Sequence, residues 1–189
     1  MKRLVTEPGS LLAAAPDMLD PNFMHAVVLM CRHSEEGAFG FVINRPASVT
    51  LDVLAPSHPV LKRQRAPIFA GGPVGLDTLQ FLHRAPAEIP DGVEIGTDLY
   101  LGGEIDALAA YLERHGPAAQ RKVRLLVGYS GWGAGQLEGD LASGSWLPAA
   151  LETDWVFGED GRSTWRSVLK SLGGGASGLA DLPPDPSWN

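Results

Sequence analysis

The sequence predicts an α+β fold in a single domain. Strand-like apolar runs outnumber amphipathic helical stretches along the chain. Two of these runs, residues 25–33 and 38–44, are joined by only four residues, Ser34-Glu35-Glu36-Gly37. So short a link fits an antiparallel hairpin, because parallel strands need a long crossover. Strand and helix patterns do not alternate strictly, so a doubly wound α/β sheet does not fit. The 189 residues suit one domain, for which ~100–200 residues is usual. A chain of that size buries about 70% of its unfolded surface.

Residues 9–15, with Leu11, Leu12 and three alanines, make an apolar opening segment that Pro16 ends. Residues 17–21 read as one short helical turn stopped by Pro21. Residues 25–33 are nearly continuous apolar, the pattern of a strand covered on both faces. The second strand, 38–44, contains Gly40, which signals a bulge or a close backbone approach. Asn44-Arg45-Pro46 closes it. Residues 51–54 suggest a helical turn, 55–66 a loop and 67–70 a short strand. Gly71-Gly72-Pro73-Val74 is a turn by composition: glycine permits positive φ and Pro73 fixes the chain after it.

Residues 78–83 alternate and predict another strand. Residues 85–92 form a loop with two prolines, and 93–101 hold one or two short strands before Gly102-Gly103. The clearest helix is 104–115: Ile105, Leu108, Ala109 and Leu112 recur at helical spacing, and Gly116-Pro117 stops it. Residues 122–127 predict a strand, 135–142 a short helix, 145–148 an extended segment and 153–157 a last strand. Residues 162–172 predict a helix with Trp165, Val168, Leu169 and Leu172 on one face. The domain therefore spans residues 1–172, and the glycine- and proline-rich residues 173–189 read as a flexible tail. No internal repeat is present.

Composition narrows the function. The net charge is −7, which disfavours binding that rests on phosphate contacts. Two short basic groups, Lys62-Arg63-Gln64-Arg65 and Arg121-Lys122-Val123-Arg124, read as a solvated loop and the start of a strand. The single cysteine, Cys31, excludes an intrachain disulfide and reads as a buried, inert thiol. Met1 to Glu7 lack the apolar core of a signal peptide, and no run of ~18 apolar residues occurs. The cytoplasm is the expected compartment. All five tryptophans lie after position 130 and read as core.

Residues 128–138, Gly-Tyr-Ser-Gly-Trp-Gly-Ala-Gly-Gln-Leu-Glu, are the densest mixture of permissive backbone, rings and hydrogen-bonding groups. They read as a strand-to-helix junction in which Gly131 turns the chain and Trp132 anchors it. Three catalytic templates fail there. A nucleophile elbow around Ser130 needs a small residue where Trp132 stands, and no histidine follows His115. A dinucleotide fingerprint needs glycine where Gln136 stands, and a phosphate loop needs a lysine. The five histidines, His25, His33, His58, His83 and His115, show no metal-ligand spacing. His33 with Glu35 and Glu36 is the one His–carboxylate neighbourhood in the sequence.

Taken together, these pieces resemble the YqgE/AlgH family of bacterial proteins. The matching pieces are Leu11-Leu12-Ala13 with Pro16, Met18, Asp20 and Phe23; Val27-Val28-Leu29 with His33; Gly37-Ala38-Phe39-Gly40 with Asn44-Arg45-Pro46; Gly71-Gly72-Pro73-Val74; Leu82-His83; Gly131-Trp132 with Gly135-Gln136-Leu137-Glu138; and Trp146-Leu147 with the Trp165 helix. They run in order over about residues 5–172. The family commonly has alanine at position 130 and proline at 134, where this chain has Ser130 and Ala134. The resemblance implies a bent or bifurcated, mostly antiparallel sheet, partly barrel-like, surrounded by helices. It also implies a transcriptional-regulator role, linked by name to alginate production, without an established active site.

The expectation is a non-enzymatic regulatory or interaction protein with a protein or small-molecule partner. No catalytic set, cofactor, metal site, membrane contact or direct nucleic-acid contact is expected. The alternative is a ligand-binding or enzymatic domain whose pocket is formed by the loops at Asn44, Gly71 and Gly131. Candidate contact residues are Asn44, Arg45, Gly71, Gly72, Ser130, Gly131, Trp132, Gln136 and Glu138.

Overall fold

Val123–Gly133, the longest strand among the described residues, is the spine from which the other elements branch. The computed structural model describes residues 6–158 and 161–181. Across them nine strands form one sheet: β1 Leu11–Ala14, β2 Val27–Ser34, β3 Gly37–Val42, β4 Ile68–Ala70, β5 Val74–His83, β6 Val93–Gly96, β7 Leu99–Leu101, β8 Val123–Gly133 and β9 Trp146–Ala149. Their order is β6-β7-β5-β8-β3-β2-β1-β9, and β4 branches from β8. Only the β4–β8 pairing is parallel. The sheet is bifurcated and mostly antiparallel, as expected. It bends without closing, and β6 and β9 are its outer strands. The helices are α1 Leu51–Leu54, α2 Ile105–His115, α3 Gln136–Ala142, α4 Thr153–Val156, α5 Gly161–Leu172 and α6 Gly174–Leu179. Short 3₁₀ turns occupy Leu61–Arg63 and Gly116–Arg121.

The bend is made at Gly128. Before it, Leu125, Leu126 and Val127 lie between β4 and β5 and are buried. After it, Ser130, Gly131, Trp132 and Gly133 pair with Gly40, Phe39, Ala38 and Gly37 of β3. Gly128 has φ +73°, and a Cβ there would stand 2.4 Å from the Gly72 carbonyl oxygen. Only glycine suits both the conformation and the contact.

β1 and β2 show why a continuous apolar run was legible as strand. Leu11, Ala13, Val27, Leu29 and Cys31 pack into one core that includes Trp165, Val168 and Leu169 of α5. Leu12, Ala14, Val28 and Met30 point the other way, into a second core with Trp132, Leu137 and Trp146. A third core gathers Leu108, Ala109 and Leu112 of α2 against Phe81, Val123 and Leu125. The predicted β2–β3 hairpin forms, and its bulge lies between Met30 and Arg32. Gly40 is the close approach: a Cβ there would meet the Leu29 carbonyl oxygen at 2.3 Å. Trp132, Trp146 and Trp165 are buried as expected, and Trp155 is partly buried. Trp188 lies outside the described residues.

Several expectations are corrected. The strand was expected to give way to a junction after residue 127, with Gly131 turning the chain. Instead β8 runs on to Gly133, because β3 supplies a pairing partner, and the turn comes at Gly135, φ +74°. Residues 153–157 were expected as a strand, but Thr153–Val156 is a helical turn closed by the Trp155 N–H on the Glu152 carbonyl. That turn puts Val156 and Phe157 in the core while Asp154 reaches Arg84 at 2.7 Å. The extended segment expected at 145–148 forms as the edge strand β9, whereas residues 17–21 are not one helical turn: Met18 N–H closes a turn on Ala15, residues 18–20 are irregular, and a second turn starts at Asp20. Within the stretch read as a tail, Gly174–Leu179 is helical and Ala180 is buried. The residues after Asp181 lie outside the described part.

Candidate functional site

Of the three loops expected to frame a pocket, the one at Gly71 lies against the bend of β8 and the one at Asn44 follows β3, while Gly131 is part of β8 itself; the polar side chains of these segments are turned to internal partners. Asn44 is 9% exposed. Its Oδ1 accepts from the Val27 N–H at 2.8 Å, and its Nδ2 donates to the carbonyls of His25 at 2.9 Å and Gly161 at 2.8 Å. The side chain thereby ties the end of β3 to the start of β2 and of α5. Arg45 donates to the carbonyls of Pro21, Asn22 and Met24. Burial lowers its pKa from the ordinary arginine value, and Asp20 partly offsets this.

Gly71 and Gly72 lie flat against β8. A Cβ on Gly71 would meet the Gly128 carbonyl oxygen at 2.4 Å, and one on Gly72 would meet the Tyr129 backbone at 2.2 Å. Ser130 is fully buried and donates its hydroxyl to the Gly71 carbonyl at 3.1 Å. This hydroxyl locks the crossing of the two segments. Trp132 is buried against Phe23 and Trp146, and its Nε1–H donates to Asp140 Oδ2 at 3.1 Å. Gln136 is exposed, yet its Oε1 accepts the Gly133 N–H at 3.0 Å and so closes the turn into α3. Gly131 is exposed on β8 beside Tyr129.

Glu138 makes the contact that sequence reading missed. It reaches His33 on β2, with Oε1 3.1 Å from Nε2. The histidine was expected beside Glu35 and Glu36; the fold brings in a carboxylate from α3 instead. On the other side of the ring, His33 Nδ1 receives the Thr6 N–H at 3.1 Å and lies 3.1 Å from the Thr6 hydroxyl. A hydroxyl, an imidazole and a carboxylate in line suggest a relay. However, Nδ1 has one lone pair, and the Thr6 N–H already uses it. Thr6 is also only 5% exposed. The trio therefore acts as a clamp joining the N-terminal segment, β2 and α3.

Cys31 is buried, and burial pushes its thiol up to about 12, as expected of an inert core cysteine. Among the described residues no group of three or more metal-ligating side chains comes together, and no helix is long and apolar enough to cross a membrane.

His83 is fully buried; its Nδ1 accepts the Ala85 N–H at 3.2 Å and its Nε2 faces the Gly102 carbonyl at 2.9 Å. The ring is therefore neutral with its proton on Nε2. Burial lowers its pKa, partly offset by the Gly102 bond; His25 is lowered too, first by burial and then by Arg162, Arg166 and Arg45. A lowered folded pKa means that the unfolded chain binds more protons below about pH 6.5. Unfolding free energy is expected to fall as pH drops through that value, by at most ~1.4 kcal/mol per pH unit for each histidine. Urea titrations at pH 7.5 and 5.5 measure this, and the loss should shrink in His83→Gln. An equal loss in that variant would count against His83 as a source.

An exposed apolar cluster stands beside these groups, next to exposed Asp77 and Thr78. Val74 pairs with Tyr129, and the pairing is then interrupted until Leu79. Val74, Leu76 and Tyr129 are 43%, 62% and 37% exposed.

Comparison with known proteins gives a consistent picture. Residues 11–177 match a family model described as AlgH-like. A UPF0301 protein of Chlorobaculum tepidum is 36% identical over 185 residues, covering 98% of this chain and 97% of its own. A UPF0301 protein of Bacteroides fragilis is 33% identical over 181 residues, 96% of this chain and 90% of its own. The solution structure of the AlgH protein from Pseudomonas aeruginosa superposes with a TM-score of 0.70 at 30% identity, covering 98% of this chain and all of that one. A crystal structure from Corynebacterium diphtheriae, at 24% identity and 95% coverage of that chain, shares the fold with a TM-score of 0.73.

Proposed function

The chain belongs to the AlgH-like family, and on that premise we propose that it is a non-enzymatic cytoplasmic regulatory protein that acts by contact with a protein partner. One observation carries this reading. The polar side chains singled out along β3 and β8 are committed to internal hydrogen bonds, and an exposed apolar cluster stands beside the bend of β8. Asn44, Arg45, Ser130, Trp132 and Gln136 each hold two segments of the chain together. Val74, Leu76 and Tyr129 stand exposed beside them. Exposed apolar clusters of this kind suit protein contact. The net charge of −7 supports regulation through a partner rather than through direct grip on DNA.

The test is complementation. Transcript profiles of a strain lacking the gene are compared after return of the wild type and of Leu76→Asp. The wild type is expected to restore the profile. Leu76→Asp, at an exposed position, should keep its thermal midpoint and fail to restore it. An unchanged profile on deletion would remove the regulatory reading. Full rescue by Leu76→Asp would move the contact surface elsewhere.

A further inference from the structure

Away from the bend of β8, the fold buries a cation against neutral partners. Arg124 is 4% exposed, in register with Leu82 of β5. Its guanidinium lies over the Phe69 ring, 3.5 Å from the centroid. Nε donates to the Val156 carbonyl at 2.7 Å, and Nη2 donates to the Gly158 carbonyl. Among the described residues Nη1 makes no hydrogen bond, and no carboxylate comes within ion-pair distance. Burial alone pushes the group down to about 10, which still leaves it charged at neutral pH. A desolvated guanidinium is costly, and carbonyls and a ring face offset that cost only in part.

This cation lines a cleft of about 310 Å³. The other walls are Pro46, Pro67, Phe69 and Phe157, with Gln120 at the side. A second cleft of about 320 Å³ adjoins it, sharing Pro67, Gln120 and Val123, and is bordered by Arg63 and Arg65. Arg63 and Arg65 of one short basic group and Arg124 of the other, some sixty residues apart, thus line two adjoining clefts of an acidic protein. Ligand pockets begin at about this size and combine apolar walls with a few placed polar groups.

The geometry points to a binding site for a small organic oxyanion: a carboxylate or phosphate set against Arg124, on an apolar or aromatic body held between Phe69, Phe157 and the two prolines. Arginine suits this role because its planar fork makes charge-assisted bonds to oxyanions and stacks on rings. Arg63 and Arg65 add a positive field along the approach. The site goes beyond the protein-contact reading and lies on different residues, so direct binding tests it independently of complementation.

The probes are 3-phenylpropionate and phenyl phosphate, with neutral 3-phenylpropanol and inorganic phosphate as controls. Titrations follow the Arg124 side-chain Nε–H and the Gly158 amide by NMR. One or both amphipathic anions should shift these signals saturably, at least roughly tenfold more tightly than either control; which one does so separates carboxylate from phosphate recognition. Gln120→Glu, a change at the groove wall, should weaken binding at least tenfold by like-charge repulsion. Arg124→Met should abolish it, and Gln120→Glu keeps the test decisive where Arg124→Met does not fold. No saturable shift with either anion, equal binding of the alcohol or of inorganic phosphate, or undiminished binding in Gln120→Glu would overturn the proposal.

Discussion

Asn44→Ala is expected to lower the unfolding free energy by roughly 3–5 kcal/mol, since each buried polar group left unpaired costs about 1–3 kcal/mol. Three backbone groups lose the Asn44 side chain at once: the Val27 N–H, the His25 carbonyl and the Gly161 carbonyl, of which the last keeps its place in the hydrogen-bond ladder of α5. Their positions in the sequence are 17, 19 and 117 residues from Asn44, so the loss loosens β2, β3 and α5 together. Asn44→Asp separates the contributions. It keeps the acceptor for Val27 but turns a carboxylate toward two carbonyls, and should be at least as destabilising as alanine. Denaturant unfolding of both variants provides the measurement. A wild-type midpoint for Asn44→Ala would mean that this asparagine is available for a partner after all.

The second large effect is expected at Gly128. Gly128→Ala should cost about 3 kcal/mol or more: ~1–2 kcal/mol for a left-handed non-glycine residue, and the remainder for a Cβ forced to 2.4 Å from the Gly72 carbonyl oxygen. Both atoms in that contact belong to the backbone, so relief requires two segments to part. Gly131→Ala is the matched control three residues along the same strand. Its φ is ordinary, and the atom nearest to the added Cβ is a Tyr129 ring carbon at 3.6 Å. It should fall within ~1 kcal/mol of the wild type, or gain slightly from reduced chain entropy. Equal midpoints for the two alanine variants would contradict the bend assigned to Gly128.

These two glycines also show what could be read from the sequence. Composition marked residues 128–138 as exceptional, but four glycines in eleven residues do not say which one bends. That is decided by β3 and Gly72, which lie far away in the chain. Local patterns were reliable where the stabilising contacts are local or periodic, as in the β2–β3 hairpin and in α2. They failed at residues 153–157, where an aromatic and β-branched run looks like a strand. Val156 and Phe157 instead reach the core from a helical turn.

The candidate site was legible as a set of residues and not as a set of bonds. Asn44, Ser130 and Gln136 stood out as polar groups in glycine-rich loops, yet polarity alone does not show whether a side chain faces solvent or a carbonyl. His33 was paired in prospect with its neighbours in sequence, while its observed carboxylate, Glu138, arrives from α3. Arg124 was hidden inside a short basic run whose first two members, Arg121 and Lys122, are indeed exposed. Only the arrival of Phe69 beneath it and of Val156 and Gly158 around it makes it a buried charge.

The position of β8 also sets the order of events on the ribosome. The β2–β3 hairpin is complete once residue 42 has been made, but the strand that covers the open side of β3 ends at Gly133. For some ninety residues of synthesis, at about 5–20 residues per second, Gly37 to Gly40 present an unpaired edge. β1 waits longer still: its second neighbour is β9, and the Trp165 indole that bonds to Ala14 comes later again. β1 is thus fastened by residues made more than a hundred positions later. Such distant pairings slow folding, because long loops must close before they are rewarded. Until β8 arrives, the unpaired edge of β3 is open to pairing with another chain.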